Sequence, residues 1–573
     1  MMNQEALTPE ERERIYSEDY ADLLVSYSGD PFAFEPFQNA TVNIINFFFA
    51  SVHVPVEQIT EGIILERGYA ILPSLFGLIS QASLEASGVT RLRNIPNFSL
   101  RGQGVLIGTI DTGVDYMNPV FQYADGTTKI ASIWDQTITT GTVPEGMEFG
   151  SEYSREQINA ALQSDDPLAA VPTRDENGHG TMVAGIAAGS EMPESGFYGV
   201  APDAELVVVK LKPAKGFLKD FFRIPPDALC YEENDILFGI EYLMNVAAEL
   251  NRPLVICIAL GTSQGAHDGR GNLSSYISLV AEIEGIAVIV AAGNEGNARR
   301  HYFGVVDQNT GYDTVELNVG EEETGFSMEI WADSPNIFSI DILSPSGEYI
   351  SRLGARLDES KEVSFIFEST VILVDYQMVE SQSGDQLILV RFTDPAPGIW
   401  RFRVYGRGET TQSFHIWLPM GDFITGNTYF IRSDPYTTIL SLGNARLPIT
   451  VTAYNILDDS LYLNASRGYS RIGVIKPELA APGVDVLSPT LDQGFEAVTG
   501  TSVSAAHTAG IAAMMMEWGI VRGGYPRMST VDLKVFLIRG ARREQDIIYP
   551  NRDWGYGILD IFNVFDAIRT GQP

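Results

Sequence analysis

Three glycine-framed segments, far apart along the chain, each contain one residue type that nucleophilic catalysis needs. Asp111 lies in Ile-Asp-Thr-Gly-Val, His179 in Asn-Gly-His-Gly-Thr, and Ser502 in Gly-Thr-Ser-Val-Ser-Ala-Ala-His. Acyl transfer by a serine requires a hydroxyl, a base within hydrogen-bond reach, and a carboxylate that orients the base. Small flanking residues let the backbone of a substrate approach these side chains closely. The segments therefore predict a triad with Ser502 as nucleophile, His179 as base and Asp111 as orienting carboxylate.

A fourth segment, Ala-Ala-Gly-Asn-Glu-Gly, supplies a candidate for stabilising an oxyanion. Its Asn294 follows an apolar run over 286–292. The side-chain N–H of Asn294 would add a hydrogen bond as a substrate carbonyl oxygen becomes negatively charged. Asn-Glu-Gly is also a good turn sequence, but its place after a strand pattern and the presence of the triad favour the catalytic interpretation. The backbone N–H of Ser502, at the start of a predicted helix, is the other expected donor.

The segments that carry these residues alternate between strand and helix patterns, which predicts an α/β fold with a doubly wound parallel sheet. In such sheets, functional sites lie at the carboxyl ends of the strands. Asp111 and Asn294 follow predicted strands, and His179 begins a predicted helix. The predicted strands are 105–110, 206–211, 253–260 and 286–292, and a further helix is predicted over 235–250.

All three triad segments resemble those of the subtilisin-family serine proteases, in which the chain order is also Asp, His, Ser. The resemblance covers most of residues 100–300 and 435–565. It implies that Leu260, Gly261 and Thr262 pair with an extended substrate and border the pocket for the residue before the cut. Thr262 stands where the family usually has a second glycine, so this pocket wall is expected to differ.

The chain is expected to contain four regions. On the residues alone, the first is a small α/β domain; by the resemblance, it is a propeptide that chaperones folding and then inhibits the mature site. The resemblance also suggests an autoprocessing cut between Gln81 and Ala82. Alternating β-rich pieces between the two parts of the core predict an inserted all-β, jelly-roll-like domain that acts as a brace or binds a partner. The predicted regions are 1–81 (propeptide), 82–298 (core), 299–434 (insert) and 435–573 (core).

The composition argues against several classes of partner. Among 573 residues, 38 basic and 74 acidic side chains give a net charge of −36. Nucleic acids and anionic membranes require a basic face, so neither is expected as a partner. The longest apolar run near the start, 44–56, is too short to span a bilayer. The start of the sequence lacks the pattern of a signal peptide, which predicts cytoplasmic synthesis.

No cofactor and no metal are predicted. Asp115 and Asp125 lie near the first motif, but two carboxylates do not specify an oxygen cage for calcium. The only two cysteines, Cys230 and Cys257, do not indicate a disulfide scaffold. The expected partners are a protein substrate and the chain's own cleaved propeptide, and a monomer is expected.

Within the subtilisin family, the pro-region, the β insert, the missing signal peptide and the serine motif resemble the clostridial spore germination proteases called Csp. This resemblance implies limited cleavage that activates a spore-cortex lytic enzyme precursor, a spore-associated location, and a cut propeptide that stays bound. Some members of that group have lost triad residues and signal without catalysis. Asp111, His179 and Ser502 are all present here, which favours an active enzyme. A general degradative subtilisin, or a silent signalling pseudoprotease held by its prodomain, are the alternatives.

Overall fold

The computed structural model describes residues 6–79, 99–354 and 359–570. In this part of the chain, the central element is an eight-stranded sheet in which seven strands run parallel and Ser151–Ser154 joins one edge antiparallel. The strands, in spatial order, are Leu479–Pro482, Ile449–Tyr454, Ile286–Ala291, Leu254–Ile258, Leu106–Asp111, Glu205–Lys210, Ile130–Asp135 and Ser151–Ser154. The predicted subtilisin-like parallel sheet is confirmed.

Helices cover both faces of this sheet. Successive side chains of a strand point to opposite faces, so one strand can contribute to two hydrophobic clusters. On the strand Leu254–Ile258, Val255 and Cys257 belong to one hydrophobic cluster, whereas Leu254 and Ile256 belong to another. Helices His179–Ala188 and Thr501–Met516 contribute to the first cluster, and helices Glu233–Glu249 and Asn272–Val280 to the second. Burial on both faces explains why these strands read as continuous apolar runs.

The N-terminal unit is a small α/β structure. Its helix, Pro9–Tyr16, begins with a capping box in which Thr8 and Glu11 satisfy each other's backbone N–H groups. Strands Tyr20–Ser26 and Thr41–Ile44 pair antiparallel with Phe49–Pro55 between them. The segment from Thr41 to Pro55 is therefore a hairpin. The helix Ile63–Arg67 follows, and then the strand Leu75–Leu78.

The insert is a sandwich of two antiparallel sheets whose inward-facing side chains share one hydrophobic core. Within the described residues, the first sheet consists of His301–Val305, Ser413–Trp417, Gly325–Ala332, Gln386–Thr393, Val371–Gln377 and Glu359–Ser364. The second consists of Tyr349–Leu353, Ile337–Leu343, Gly398–Arg407, Tyr312–Val319 and Tyr429–Phe430. The inserted β domain expected from the alternating β-rich pieces is confirmed.

A separate small sheet joins three regions of the chain. In it, Leu75–Leu78 lies between Leu260–Gly261 and Tyr231–Glu232. The strand expected over 253–260 is therefore divided, since its last residues leave the central sheet to pair with Leu75–Leu78. The remaining helices are Arg155–Leu162, Pro167–Ala170, Gly216–Phe222, Thr530–Gly540 and Ile561–Thr570, and a hairpin is formed by Val486–Pro489 and Phe495–Val498.

Candidate active site

Asp111 and His179 meet at the carboxyl edge of the central sheet. Asp111 is the last residue of its strand, and His179 is the first residue of its helix. The His179 Nδ1–H donates to Asp111 Oδ1 over 2.7 Å. The same carboxylate oxygen accepts the backbone N–H of Thr112 over 2.8 Å. Both side chains are buried, so this charge-assisted hydrogen bond is shielded from water and holds the imidazole ring in one orientation.

The glycine after His179 allows the two motifs to touch. A β-carbon at Gly180 would collide with the carbonyl oxygen of Gly113. The backbone N–H of Gly180 also donates to Thr112 Oγ1 over 2.9 Å. The small residue in the His motif is therefore required by the close approach of the Asp111 loop.

Asp175 holds the turn that leads into the His179 helix. Its Oδ1 accepts the backbone N–H groups of Asn177 (3.0 Å) and Gly178 (2.8 Å), and its Oδ2 accepts the backbone N–H and the hydroxyl of Thr181. The bonds to the backbone N–H groups of Gly178 and Thr181 satisfy two donors that the start of a helix leaves unpaired, and the other two hold the preceding turn and the Thr181 side chain. Asp175 was not identified from the sequence, although Asp two residues before an Asn-Gly pair is typical of a side chain that caps a turn.

Ser502 and Asn294 are linked through Thr501, at the start of the helix Thr501–Met516. Ser502 is the second residue of its helix, fully buried, and its Oγ makes no hydrogen bond to any described residue. Asn294 Oδ1 accepts the backbone N–H and the hydroxyl of Thr501, each over 3.2 Å. These two bonds commit the amide oxygen to the helix and make the amide nitrogen the donor of this side chain. A donor is what an oxyanion site requires.

The chain's own N-terminal unit occupies the cleft beside these residues. Leu75–Leu78 runs antiparallel to Leu260–Gly261, with Leu78 opposite Leu260 and Gly77 opposite Gly261. Main-chain pairing of this type is how an exposed strand edge binds an extended peptide. The carbonyl oxygen of the next residue, Ile79, accepts a hydrogen bond from His179 Nε2 over 2.8 Å. The segment therefore reaches His179, as an extended substrate would.

This contact determines the protonation state of His179. Its two ring nitrogens face a carboxylate and a carbonyl, which only accept hydrogen bonds, so both nitrogens must carry a proton. Burial favours the neutral ring, but the charge of Asp111 and the hydrogen bonds to Asp111 and Ile79 outweigh burial and raise the pKa of His179 above 6.5. An imidazolium cannot accept the proton of Ser502. While the Ile79 carbonyl is hydrogen-bonded to Nε2, His179 therefore cannot act as a general base, and catalysis requires this carbonyl to leave Nε2.

Two predicted features remain, the pocket residue Thr262 and the processing site. Thr262 follows the strand Leu260–Gly261 and accepts the backbone N–H of Gln264 through its hydroxyl. The predicted cut between Gln81 and Ala82 lies outside the described residues. Ile79 was not singled out from the sequence, because an aliphatic residue gives no local signal of its contact with a distant histidine.

The two acidic residues near the first motif have structural roles. Asp115 Oδ1 accepts the backbone N–H of Met117, and Asp125 Oδ1 accepts that of Thr127. Each carboxylate thus closes a local turn two residues on. Among the described residues, no group of three or more His, Cys, Asp or Glu side chains is arranged to hold a metal ion. Both cysteines are buried and unpaired, and burial raises the pKa of Cys230 to about 12.

The fold is that of the subtilisin-type serine proteases. The subtilase family profile, peptidase family S8, matches residues 102–319 and 425–557, together more than half of the chain. The chain belongs to the subtilase family. The stretch between the two matched parts, 320–424, contains most of the β sandwich and the loop Gly421–Phe423.

Among solved structures, the CspB protease of Clostridium perfringens superposes with a TM-score of 0.75 at 30% identity, covering 85% of this chain and 97% of that one. The resemblance to the Csp proteases is confirmed. A subtilisin-like protease of Arabidopsis thaliana, SBT3.6, is 24% identical over 468 residues, which is 72% of this chain and 56% of its own length. The minor extracellular protease Vpr of Bacillus subtilis is 22% identical over 500 residues, 82% of this chain and 52% of its own length. The chain thus spans about half the length of these curated relatives.

Within residues 6–79, 99–354 and 359–570, no helix combines the length and the apolar character needed to cross a bilayer.

Proposed function

We propose that this protein is a serine endopeptidase in which Ser502 is the nucleophile, His179 the general base and Asp111 its orienting carboxylate. The observation that carries this proposal is the extended segment that ends with its Ile79 carbonyl on His179 Nε2. A peptide bound in this manner brings a backbone carbonyl within 2.8 Å of the proposed base. The buried hydrogen bond from His179 to Asp111 holds the imidazole ring in the orientation that a general base requires.

The residues can perform peptide hydrolysis in two stages. When His179 is neutral, Ser502 Oγ attacks the substrate carbonyl carbon, and His179 Nε2 takes the hydroxyl proton. The oxyanion accepts hydrogen bonds from the Asn294 amide and the Ser502 backbone N–H, and Asp111 stabilises the imidazolium. The C–N bond then breaks, and His179 returns the proton to the leaving amine. Water hydrolyses the acyl-enzyme in the same way, with His179 removing the proton of the water.

The first substrate is the chain's own junction near residues 79–82. The sequence favours a cut between Gln81 and Ala82, whereas the contact of Ile79 with His179 favours the bond that follows Ile79. Two residues of a strand span about 6–7 Å. A cut after Gln81 therefore requires Leu75–Leu78 to slide by two residues along Leu260–Gly261. We propose the bond after Ile79 as the processing site, and the mass of the N-terminal fragment distinguishes the two positions.

The N-terminal unit is proposed to remain bound after the cut, because buried charges join it to the core. Asp22, in the unit, accepts hydrogen bonds from His53 Nδ1 (2.5 Å) and from the core residue Lys215 (2.7 Å). Lys212, also in the core, lies 3.6 Å from Asp22 and 2.8 Å from Asp235. Burial favours the neutral acid, but the charges of His53 and Lys215 outweigh it and hold the pKa of Asp22 well below its usual value. Separating the unit would break the pairs of Asp22 with Lys215 and Lys212.

For the physiological role, we propose limited proteolysis that activates a cortex-lytic enzyme precursor during spore germination. The similarity to the CspB protease over nearly all of that chain supports this role. A cleft filled by the protein's own segment also suits a protease whose activity is restricted. A degradative subtilisin and a silent signalling pseudoprotease are the competing candidates.

Comparison of the purified wild-type chain with Ser502→Ala tests the catalytic proposal. Wild type should separate into two fragments on a denaturing gel, with the break at residues 79–82 by intact mass, and the two should elute together on size-exclusion chromatography. Ser502→Ala should stay one full-length chain. If wild type stays intact under the conditions in which the variant does, the site is silent and the pseudoprotease alternative is favoured.

A second experiment concerns the breadth of the activity. The processed protein is incubated with unfolded casein and, separately, with a folded cortex-lytic precursor. Limited processing predicts one cut in the precursor and little digestion of casein. Extensive casein digestion would favour the degradative alternative.

A further inference from the structure

The β insert contributes a wall to the substrate cleft. Met420 and Phe423, which belong to the loop at the end of the insert, are each only 4% exposed. Phe423 lines the same cleft as Ile79 and Asn294. The insert therefore contacts the bound segment directly, at a point close to the residues proposed to carry the chemistry.

This wall crowds the space that a side chain at Gly77 would need. A β-carbon at Gly77 would lie 3.2 Å from Phe423 Cζ, 3.4 Å from its Cε1 and 3.5 Å from Met420 Cε. The first of these contacts is tighter than usual, so a side chain that extends from the β-carbon towards the wall requires Phe423 to shift. The φ angle of Gly77 is not positive, so its backbone does not call for glycine. The reason for glycine at this position is steric.

The wall is held in place from the catalytic core. The backbone N–H of Gly421 donates to Glu295 Oε1 over 3.1 Å, and Arg300 donates to the Gly421 carbonyl over 2.9 Å. Arg300 and Glu295 form an ion pair at 3.3 Å, with side chains only 12% and 9% exposed. Because Glu295 directly follows Asn294, the wall and the proposed oxyanion donor are attached to the same segment. The ring of Phe423 therefore cannot move away freely when a larger residue enters the cleft.

We propose that Met420 and Phe423 make this protease specific for glycine two residues before the residue whose carbonyl meets His179. If the cut follows Ile79, as proposed above, this glycine is the third residue before the scissile bond. In the bound segment, Phe76 directly before this glycine and Ile79 two residues after it are each 2% exposed. The preferred substrate is thus an extended stretch with an aromatic residue before the glycine and a β-branched aliphatic residue two positions after it. This inference rests on the proposed function. It assigns the substrate specificity to residues of the insert, in the stretch that the subtilase profile does not match.

The first test compares autoprocessing rates of Gly77→Leu and Gly77→Ala in two backgrounds, the native chain and Phe423→Ala. In the native background, Gly77→Leu should slow processing about 10- to 100-fold, the range that overpacking of a close-packed site implies. Gly77→Ala should slow it less. In the Phe423→Ala background, Gly77→Leu should cost at most a few-fold relative to Phe423→Ala alone. The matched control is Gly62→Leu, in the same N-terminal unit, because Gly62 has an ordinary φ of −87° and a β-carbon there would meet only Thr60 Oγ1, at 3.6 Å.

If Gly77→Leu slows processing and Phe423→Ala does not restore the rate, the defect is one of general folding and the inference is overturned. An unchanged rate for Gly77→Leu would overturn it as well. So would a wild-type cut after Gln81, because that register moves Gly77 away from Phe423.

The second test does not depend on cleavage and uses the uncut Ser502→Ala chain. Hydrogen exchange of the backbone amides in Leu75–Leu78 reports how firmly the segment is held. Gly77→Leu should reduce the protection of these amides about 10- to 100-fold, and Phe423→Ala should restore most of it. Protection unaffected by Gly77→Leu would overturn the inference even if the enzyme proves inactive. If wild type is never cut but the exchange pattern follows the expectation, the proposed function fails and the steric wall stands.

Discussion

Replacing Asp22 by Asn should release the N-terminal unit from the processed complex. Asn has the shape of Asp but no negative charge, so the substitution removes the partner of the Lys215 ammonium without creating a cavity. Lys215 is 4% exposed and Asp22 2% exposed, and their charged atoms are 2.7 Å apart. Lys215 would keep its hydrogen bonds to the carbonyl oxygens of Arg14 and Tyr20, but it would lose the carboxylate that contacts its ammonium directly, leaving the carboxyl groups of Glu232 and Asp235 to interact with it from further away.

Removing one partner of a buried ion pair typically costs about 3–5 kcal/mol. If most of this cost appears in binding, the dissociation constant rises by roughly two to four orders of magnitude. Part of the cost also falls on the unit itself, because Asp22 pairs with His53 of the same unit. The cross-interface share is isolated in the Lys215→Met background, in which no ammonium remains at that position. There, Asp22→Asn should cost substantially less than it does in the native background.

The assay follows dissociation of the processed complex by size-exclusion chromatography over a dilution series, with the N-terminal fragment quantified by intact mass. The matched control is Arg12→Gln, since Arg12 and Glu148 also join the unit to the core at 2.8 Å but are 40% and 18% exposed. An exposed pair contributes about 0.2–1 kcal/mol, so this control should shift the dissociation constant at most about fivefold. If Asp22→Asn weakens binding no more than Arg12→Gln does, or costs the same with and without Lys215, the buried pair is not what retains the unit.

Three further outcomes are expected. Asn294→Ala should slow processing about 100- to 1000-fold at unchanged size-exclusion behaviour, since one oxyanion donor is lost; a normal rate would remove Asn294 from the mechanism. Because the contact with Ile79 requires protonated His179, whose pKa is raised in the complex, that contact is fully present at low pH and is lost as the pH rises through the raised pKa. Dissociation of the processed unit should therefore accelerate towards alkaline pH, and this step should disappear in His179→Gln; an identical pH profile in both proteins would contradict the assignment. Asp175→Ala should lower the melting temperature and slow processing together, because several donors of the His179 turn lose their acceptor, whereas a loss of rate at unchanged stability would point to a direct chemical role.

The central sheet and the contact between Asp111 and His179 could be predicted because their signals are local. Asp111, His179 and Ser502 each stand among small residues that permit close backbone approach, and Gly180 is required by its contact with Gly113. The core strands are buried on both faces, which makes them continuous apolar runs such as Ile286–Ala291. The insert strands were equally visible, since alternation and turn residues mark them within a few positions.

The cleft could not be predicted in the same way. Leu75–Leu78 is too short and too plain a strand to reveal that its partner, Leu260–Gly261, lies about 185 residues away along the chain. The same applies to Phe423, which meets Gly77 only because the insert folds back over the core. Asp22 and Lys215 are likewise ordinary surface residue types, and their burial follows from the docking of one unit on another.

By itself, then, the sequence identified the proposed catalytic residues, their order along the chain and the sheet that carries them, because each depends on neighbours within a few residues. Only the tertiary structure decided which segment fills the cleft, which protons His179 carries there, and which side chains of the insert pack against that segment. Those properties arise from contacts between segments hundreds of residues apart, and their strength depends on burial that no local pattern encodes.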